Sequence, residues 1–251
     1  MLIQSMNFNQ VKTITLATLL LLGAGPGSGA EPRLAYTEDS PRWLQSVGKL
    51  DVPGIQFEGG QRRHQRENCS GTLVAAAGKR LANTVVTAWH CLEYYRDLSK
   101  PITFTLLPGS DRVTRREAYL LADGGSMYAD WAVLRLYRPV DTRVIPAMEL
   151  NPALGDRLRP VTMAGFSGDA GLGMDGAVLT YHDNCRITRQ HRDGSETDCS
   201  AYKGASGGAV IQLSRQGSAQ LTGVISRGNS EGISIYVPVA DFRRPLEQHL
   251  N

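Results

Sequence analysis

A chain of 251 residues in which 41% of side chains are hydrophobic, 20% charged and 7% aromatic has ordinary globular composition, which excludes disordered, collagenous and coiled-coil classes. Twenty-seven basic residues against 24 acidic ones leave a formal charge of +3, too slight an excess to build a nucleic-acid surface from electrostatics alone. One compact unit or two small ones are expected.

In chain order, Lys12 precedes an apolar run over 14–22 and a small-residue stretch over 23–30 that contains Pro26. The run is short of the roughly 20 residues that span a bilayer, and Ser28-Gly29-Ala30 offers small side chains where a signal peptidase reads. Residues 1–30 are therefore read as a signal peptide cleaved after Ala30, with Met6 as an alternative start and an uncleaved anchor as the competing reading. No later stretch is apolar enough to span, so no stable membrane insertion is expected once the leader is gone. Export to the periplasm or the medium is an oxidising fate, in which Cys69, Cys91, Cys185 and Cys199 are expected to form two bridges. Residues 31–60 read as an N-terminal extension or pro-segment.

From about residue 66 short β-type runs alternate with Gly, Pro, Asp and Asn. Strands are expected over 71–75, 80–87, 102–107, 118–122, 131–136, 160–166, 177–181, 209–213, 219–226 and 234–237, too many for one sheet. Pro139, Pro146, Pro152 and Pro160 mark a connector, and each half, 61–145 and 146–251, is expected to close into a small barrel. Arg62, Arg63 and Arg66 read as a solvated loop. At the end of the chain Phe242, Leu246 and Leu250 fall on one face of a terminal helix, with Asp241 as a candidate N-cap and Pro245 limiting how early it starts.

Three segments carry chemistry: Thr87-Ala88-Trp89-His90-Cys91, Ala129-Asp130-Trp131-Ala132-Val133-Leu134 and Gly204-Ala205-Ser206-Gly207-Gly208. A serine hydroxyl is a poor nucleophile at neutral pH and needs an imidazole to take its proton. The imidazole needs a carboxylate to fix its tautomer and stabilise its charged form. His90, Asp130 and Ser206 fit these roles. A tight turn at Gly204 would also aim the N–H groups of Gly204 and Ser206 at the negative oxygen of an acyl-transfer transition state. His64, His182, His191 and His249 are read as structural or surface residues. Cys185 and Cys199 flank a polar loop they could close as a bridge; with His182 and His191 they also invite a zinc reading, but no tight ligand pattern supports it, and neither metal nor cofactor is expected.

The order His, Asp, Ser and the phrases around each residue resemble the chymotrypsin/trypsin family of serine endopeptidases, in particular its compact bacterial secreted members, over residues 66–240. The resemblance implies an all-β fold of two six-stranded antiparallel β-barrels with a short C-terminal helix and the three residues in the cleft between them. It also implies peptide-bond hydrolysis through an acyl-enzyme, protein or peptide substrates, and a monomer with no nucleic-acid partner. By the same resemblance Cys69 pairs with Cys91, Ser200 lies near the floor of the substrate pocket, and Ser226 and Gly228 offer an edge strand to the substrate backbone. Two departures matter. Ala205 stands where many relatives carry an acid that a new N-terminal amine engages on activation, so the site is expected to order itself without that switch. Ile225 replaces the histidine of glutamyl-specific relatives; a small or medium apolar P1 residue is the expectation, with Asp198 keeping a basic preference open. The competing reading is a catalytically weak or inactive binding module on the same fold.

Overall fold

The computed structural model describes residues 31–191, 194–229 and 232–250; the expected signal peptide lies outside them. Fifteen strands and one helix follow in order: β1 (Leu34–Ala35), β2 (Val47–Glu58), β3 (Gln61–Val74), β4 (Leu81–Thr87), β5 (Ile102–Leu106), β6 (Thr114–Asp123), β7 (Ala132–Asp141), β8 (Glu149–Leu150), β9 (Val161–Gly165), β10 (Thr180–Cys185), β11 (Ile187–His191), β12 (Gly194–Thr197), β13 (Ala209–Leu213), β14 (Ala219–Gly228), β15 (Ser234–Pro238) and α1 (Val239–Glu247). From Pro32 onward they belong to one compact unit. Among the described residues no helix is long and apolar enough to cross a membrane.

The first half closes as a six-stranded barrel in the order β2-β3-β4-β7-β6-β5. Its strands follow from period-two patterning: in β5, Ile102, Phe104 and Leu106 are buried while Thr103 and Thr105 are half-exposed. The barrel starts at Val47 and not at 61, so part of the expected 31–60 extension is body. β2 contributes buried Val47, Leu50 and Val52, and its pairing of Lys49, Leu50 and Asp51 with Thr105, Phe104 and Thr103 closes the cylinder. The β2–β3 hairpin turns at Gly59 and Gly60, whose φ values of 58° and 79° are those of a two-residue type I′ turn. Arg62, Arg63 and Arg66 lie on β3 rather than in a loop; Arg63 and Arg66 pair at the surface with Glu58 and Asp51, each at 2.9 Å.

The second half is a nine-stranded sheet, ordered β1-β10-β9-β13-β14-β15-β12-β11 with β8 parallel to β14, where a second six-stranded barrel was expected. The additional strands come from short or polar segments: the two-residue β1 on the edge of β10, β8 within the connector, and the β11–β12 hairpin. The apolar core is shared between halves, joining Leu50, Val85 and Phe104 to Ile211, Leu221 and Val224.

Helix α1 caps this core with buried Phe242 and Leu246, and Leu250 packs against it. The helix begins earlier than expected: Pro238, not Asp241, is the N-cap residue, and no side chain caps it. Phe242 leaves helical geometry at φ −125°, ψ 18°, so Pro245 sits in the first turn after a kink, where its missing N–H costs least. The Phe242 ring stacks on Trp131, 5.2 Å between centroids, which ties the helix to the residue after Asp130.

Both expected disulfides are present, Cys69–Cys91 and Cys185–Cys199. Cys69–Cys91 bridges a sequence separation of 22, and removing that constraint from the unfolded chain costs about 3 kcal/mol. The double variant Cys69→Ala/Cys91→Ala is expected to melt roughly 10 °C lower by calorimetry.

Candidate active site

β4 ends in Thr87, and the chain turns through a short 3-10 segment, Trp89–Leu92, that carries His90. Asp130 lies two residues before β7 and is fully buried. The two side chains meet: His90 Nδ1 lies 2.8 Å from Asp130 Oδ2 and 3.1 Å from Oδ1, and the His90 backbone N–H donates to Oδ1 at 2.9 Å. A third group comes from β14. A register shift between Ile225 and Arg227 turns Ser226 out of the regular ladder, and its hydroxyl donates to Asp130 Oδ2 at 2.5 Å.

Burial alone raises the pKa of Asp130, but the hydrogen bonds and charge of His90, with the Ser226 hydroxyl, outweigh it and hold the carboxyl below the ordinary carboxylate range. An ionised carboxylate only accepts, so Nδ1 carries the ring proton and Nε2 keeps its lone pair. The folded-state pKa being depressed, this arrangement stabilises the fold above the usual carboxylate pKa of about 4, and the contribution is lost as pH falls through the folded value. Melting curves of the native protein and Asp130→Asn are therefore expected to differ most near neutrality and to converge as pH falls below the usual carboxylate range.

Ser206 lies in the turn that leads into β13. Its carbonyl accepts from the Ser70 N–H at 2.7 Å and lies 3.8 Å from Cys91 Sγ, next to His90. Gly207 N–H donates to the Ile225 carbonyl at 2.8 Å, so the residue after Ser206 is tied to the residue before Ser226. Ser206 Oγ is not hydrogen-bonded to His90 among the described residues; such contacts are often long until substrate tightens them. Ser70, which the sequence reading passed over, is the hub beneath the turn. Its hydroxyl donates to the Gly204 carbonyl and accepts from the Phe166 N–H, both at 2.8 Å, while its carbonyl accepts from the Thr87 hydroxyl at 2.8 Å. One buried serine thus couples the strand before His90 to the turn around Ser206.

Two glycines make that turn possible. Gly204 has φ +96°, and a Cβ there would lie 2.5 Å from the Phe166 carbonyl oxygen. Gly207 has φ +79°, and a Cβ would lie 2.1 Å from Thr87 Oγ1 and 2.2 Å from the Ser70 carbonyl oxygen. Gly207→Ala combines left-handed strain with a clash against backbone, and is expected to destabilise the fold by about 2 kcal/mol or more, read by thermal melt. The N–H groups of Gly204 and Ser206 have no protein acceptor among the described residues.

The expected substrate-binding residues lie on the segment before this turn and on β14. Ser200 is half-buried and its N–H donates to His182 Nδ1 at 2.9 Å, so His182 supports the segment before the turn. Gly228 is exposed on β14 opposite Ser234, whose hydroxyl donates to the Cys199 carbonyl at 2.9 Å. Ser226 turns its hydroxyl to Asp130, a contact the sequence reading did not anticipate. Both cysteine-histidine clusters, Cys69-His90-Cys91 and His182-Cys185-Cys199, hold their sulfurs in disulfides, which removes the thiolates a zinc site would need.

A family model described as the trypsin-like peptidase domain matches residues 69–219. No curated protein matches the chain by sequence. Among solved structures, the protease Anisep from Arthrobacter nicotinovorans is 19% identical with a TM-score of 0.58, the match covering 82% of this chain and 93% of that one. A thermostable serine protease, AL20, from an extremophilic microorganism is 16% identical with a TM-score of 0.60, over 83% of this chain and 98% of that one. The serine endoprotease from Yersinia pestis is 20% identical with a TM-score of 0.55, over 82% of this chain and 63% of its own. These likenesses are likenesses of fold.

Proposed function

The chain belongs to the trypsin-like peptidase domain family, and from that premise we propose that it is an exported serine endopeptidase with His90, Asp130 and Ser206 as its catalytic set. Ser206 Oγ attacks the substrate carbonyl carbon as its proton passes to His90 Nε2. The carbonyl oxygen, now negative, is held by the N–H groups of Gly204 and Ser206. The C–N bond then breaks, the departing amine takes the proton from His90, and an acyl-enzyme ester on Ser206 remains. Water, deprotonated by the same imidazole, hydrolyses the ester and returns Ser206 to its starting state. Asp130 keeps His90 in the Nδ1–H tautomer and balances the charge the ring acquires.

The observation that carries this reading is the fully buried Asp130 carboxylate, held by His90 and Ser226 beside the Ser206 turn. Ser200, Ser226 and Gly228 are assigned to substrate binding, with a small or medium apolar P1 residue preferred. Export rests on the leader pattern over residues 1–30 and agrees with the two disulfides. Residues 47–145 and 146–251 carry the two halves of the working unit, β2 opening the former. Incubating the chain without residues 1–30 with a fluorophosphonate probe tests the proposal. A single label on Ser206 is expected, whereas an unlabelled protein would be the binding module; a peptide-library cleavage profile then reads the P1 preference.

A further inference from the structure

The segment leading into β1 carries a charge that acyl transfer does not use. Arg33 is 4% exposed, and its guanidinium donates to Asp169 Oδ1 at 2.8 Å and Oδ2 at 3.1 Å while lying 4.0 Å from the centre of the Tyr202 ring. Burying an arginine is costly unless its fork is matched, and here two hydrogen bonds to one carboxylate and an aromatic face match it. The guanidinium beside Asp169 in turn holds that carboxyl below the usual carboxylate range.

Asp169 and Tyr202 belong to the two segments that shape the Ser206 turn. Tyr202 begins the turn itself: its carbonyl accepts from the Ala205 N–H at 3.0 Å. Asp169 lies in the loop after β9, which meets the turn where Gly168 N–H donates to the Lys203 carbonyl at 2.6 Å. Arg33 is delivered there by backbone pairing, Leu34 and Ala35 opposite Tyr181 and Thr180, with Tyr36 N–H on the Leu179 carbonyl at 2.8 Å. Ala205, buried within the turn, offers no carboxylate through which a new terminal amine could order it.

We propose that Arg33 is a positioning residue that clasps the 166–176 loop to the 202–205 turn and so keeps the Gly204 and Ser206 N–H groups in their oxyanion-binding arrangement, a role that rests on the peptidase reading above. The ordering cation then comes from a side chain of the segment leading into β1, and no new terminal amine is needed to supply it.

The test compares the native protein with Arg33→Lys, which keeps the charge but loses the fork, and with the double variant Arg33→Met/Asp169→Asn, which removes both charges of the Arg33–Asp169 pair together. Hydrogen exchange followed by mass spectrometry is expected to show peptides over 202–208 exchanging about tenfold faster in both variants, with peptides over β4 unchanged. On a peptide substrate kcat is expected to fall about 10- to 100-fold with KM within about threefold, because the loss falls on charge that develops only in the transition state. Unchanged exchange in the turn, equal acceleration in both halves, or faster exchange with native kcat would overturn the proposal. A native protein that neither cleaves nor labels would sink the peptidase reading instead, while the exchange data would still decide whether Arg33 holds the turn.

Discussion

Ser206→Ala is expected to lower turnover of a peptide substrate by about four to six orders of magnitude and to abolish fluorophosphonate labelling, with the melting temperature nearly unchanged. The size follows from losing the whole covalent route: without Oγ no acyl-enzyme forms, and what remains is the binding of substrate and whatever the Gly204 and Ser206 N–H groups give a direct attack by water. The fold is spared because Ser206 holds its turn through the backbone. Its carbonyl takes the Ser70 N–H, the adjoining Gly207 N–H binds the Ile225 carbonyl, and no described residue is hydrogen-bonded to its hydroxyl. Steady-state hydrolysis, probe labelling and a thermal melt of the variant beside the native protein check all three parts. A variant that retains activity within about tenfold of the native protein would place the nucleophile elsewhere.

A barrel strand with strict alternation, such as β5, was legible because one buried face imposes period two on the residues themselves. β2 and the outer half of β3 were not. Pro53 and Gly54 interrupt β2, and Gln61 through Asn68 in β3 are polar because that part of the hairpin extends beyond the core into solvent. The signal that could have found them is Gly59-Gly60, a two-residue hairpin turn in its own right. The meeting of His90 with Asp130 could be anticipated from the chemistry each residue needs. The part played by Ser226 and Ser70 could not, since a hydroxyl directed by a register shift, or one placed under a turn 134 residues away, leaves no local pattern. Arg33 was hidden for the same reason: Asp169 and Tyr202 lie far along the chain, and pairing of a two-residue strand brings Arg33 to them.

Asp130→Asn is expected to lower kcat about 10⁴-fold while KM changes little, although it alters one atom. The hydrogen bonds around the carboxylate dictate how the amide sits. Asp130 Oδ1 accepts the His90 backbone N–H, a donor that cannot turn away, so the amide keeps its oxygen there. Its NH₂ then occupies the Oδ2 position, facing Ser226 Oγ and His90 Nδ1. The serine hydroxyl can rotate to accept, but the imidazole can accept at Nδ1 only by moving its proton to Nε2. A ring protonated at Nε2 has no lone pair for the Ser206 proton, so the base is lost with the geometry intact, and the imidazolium formed later loses its counter-charge as well. The opposite orientation would set NH₂ against the backbone N–H, leaving a buried donor without an acceptor. Nitrogen-15 chemical shifts of the His90 ring near neutral pH report the tautomer directly: the proton is expected on Nδ1 in the native protein and on Nε2 in the variant. A variant with the native tautomer and native kcat would mean that Asp130 serves only to pack the edge of β7.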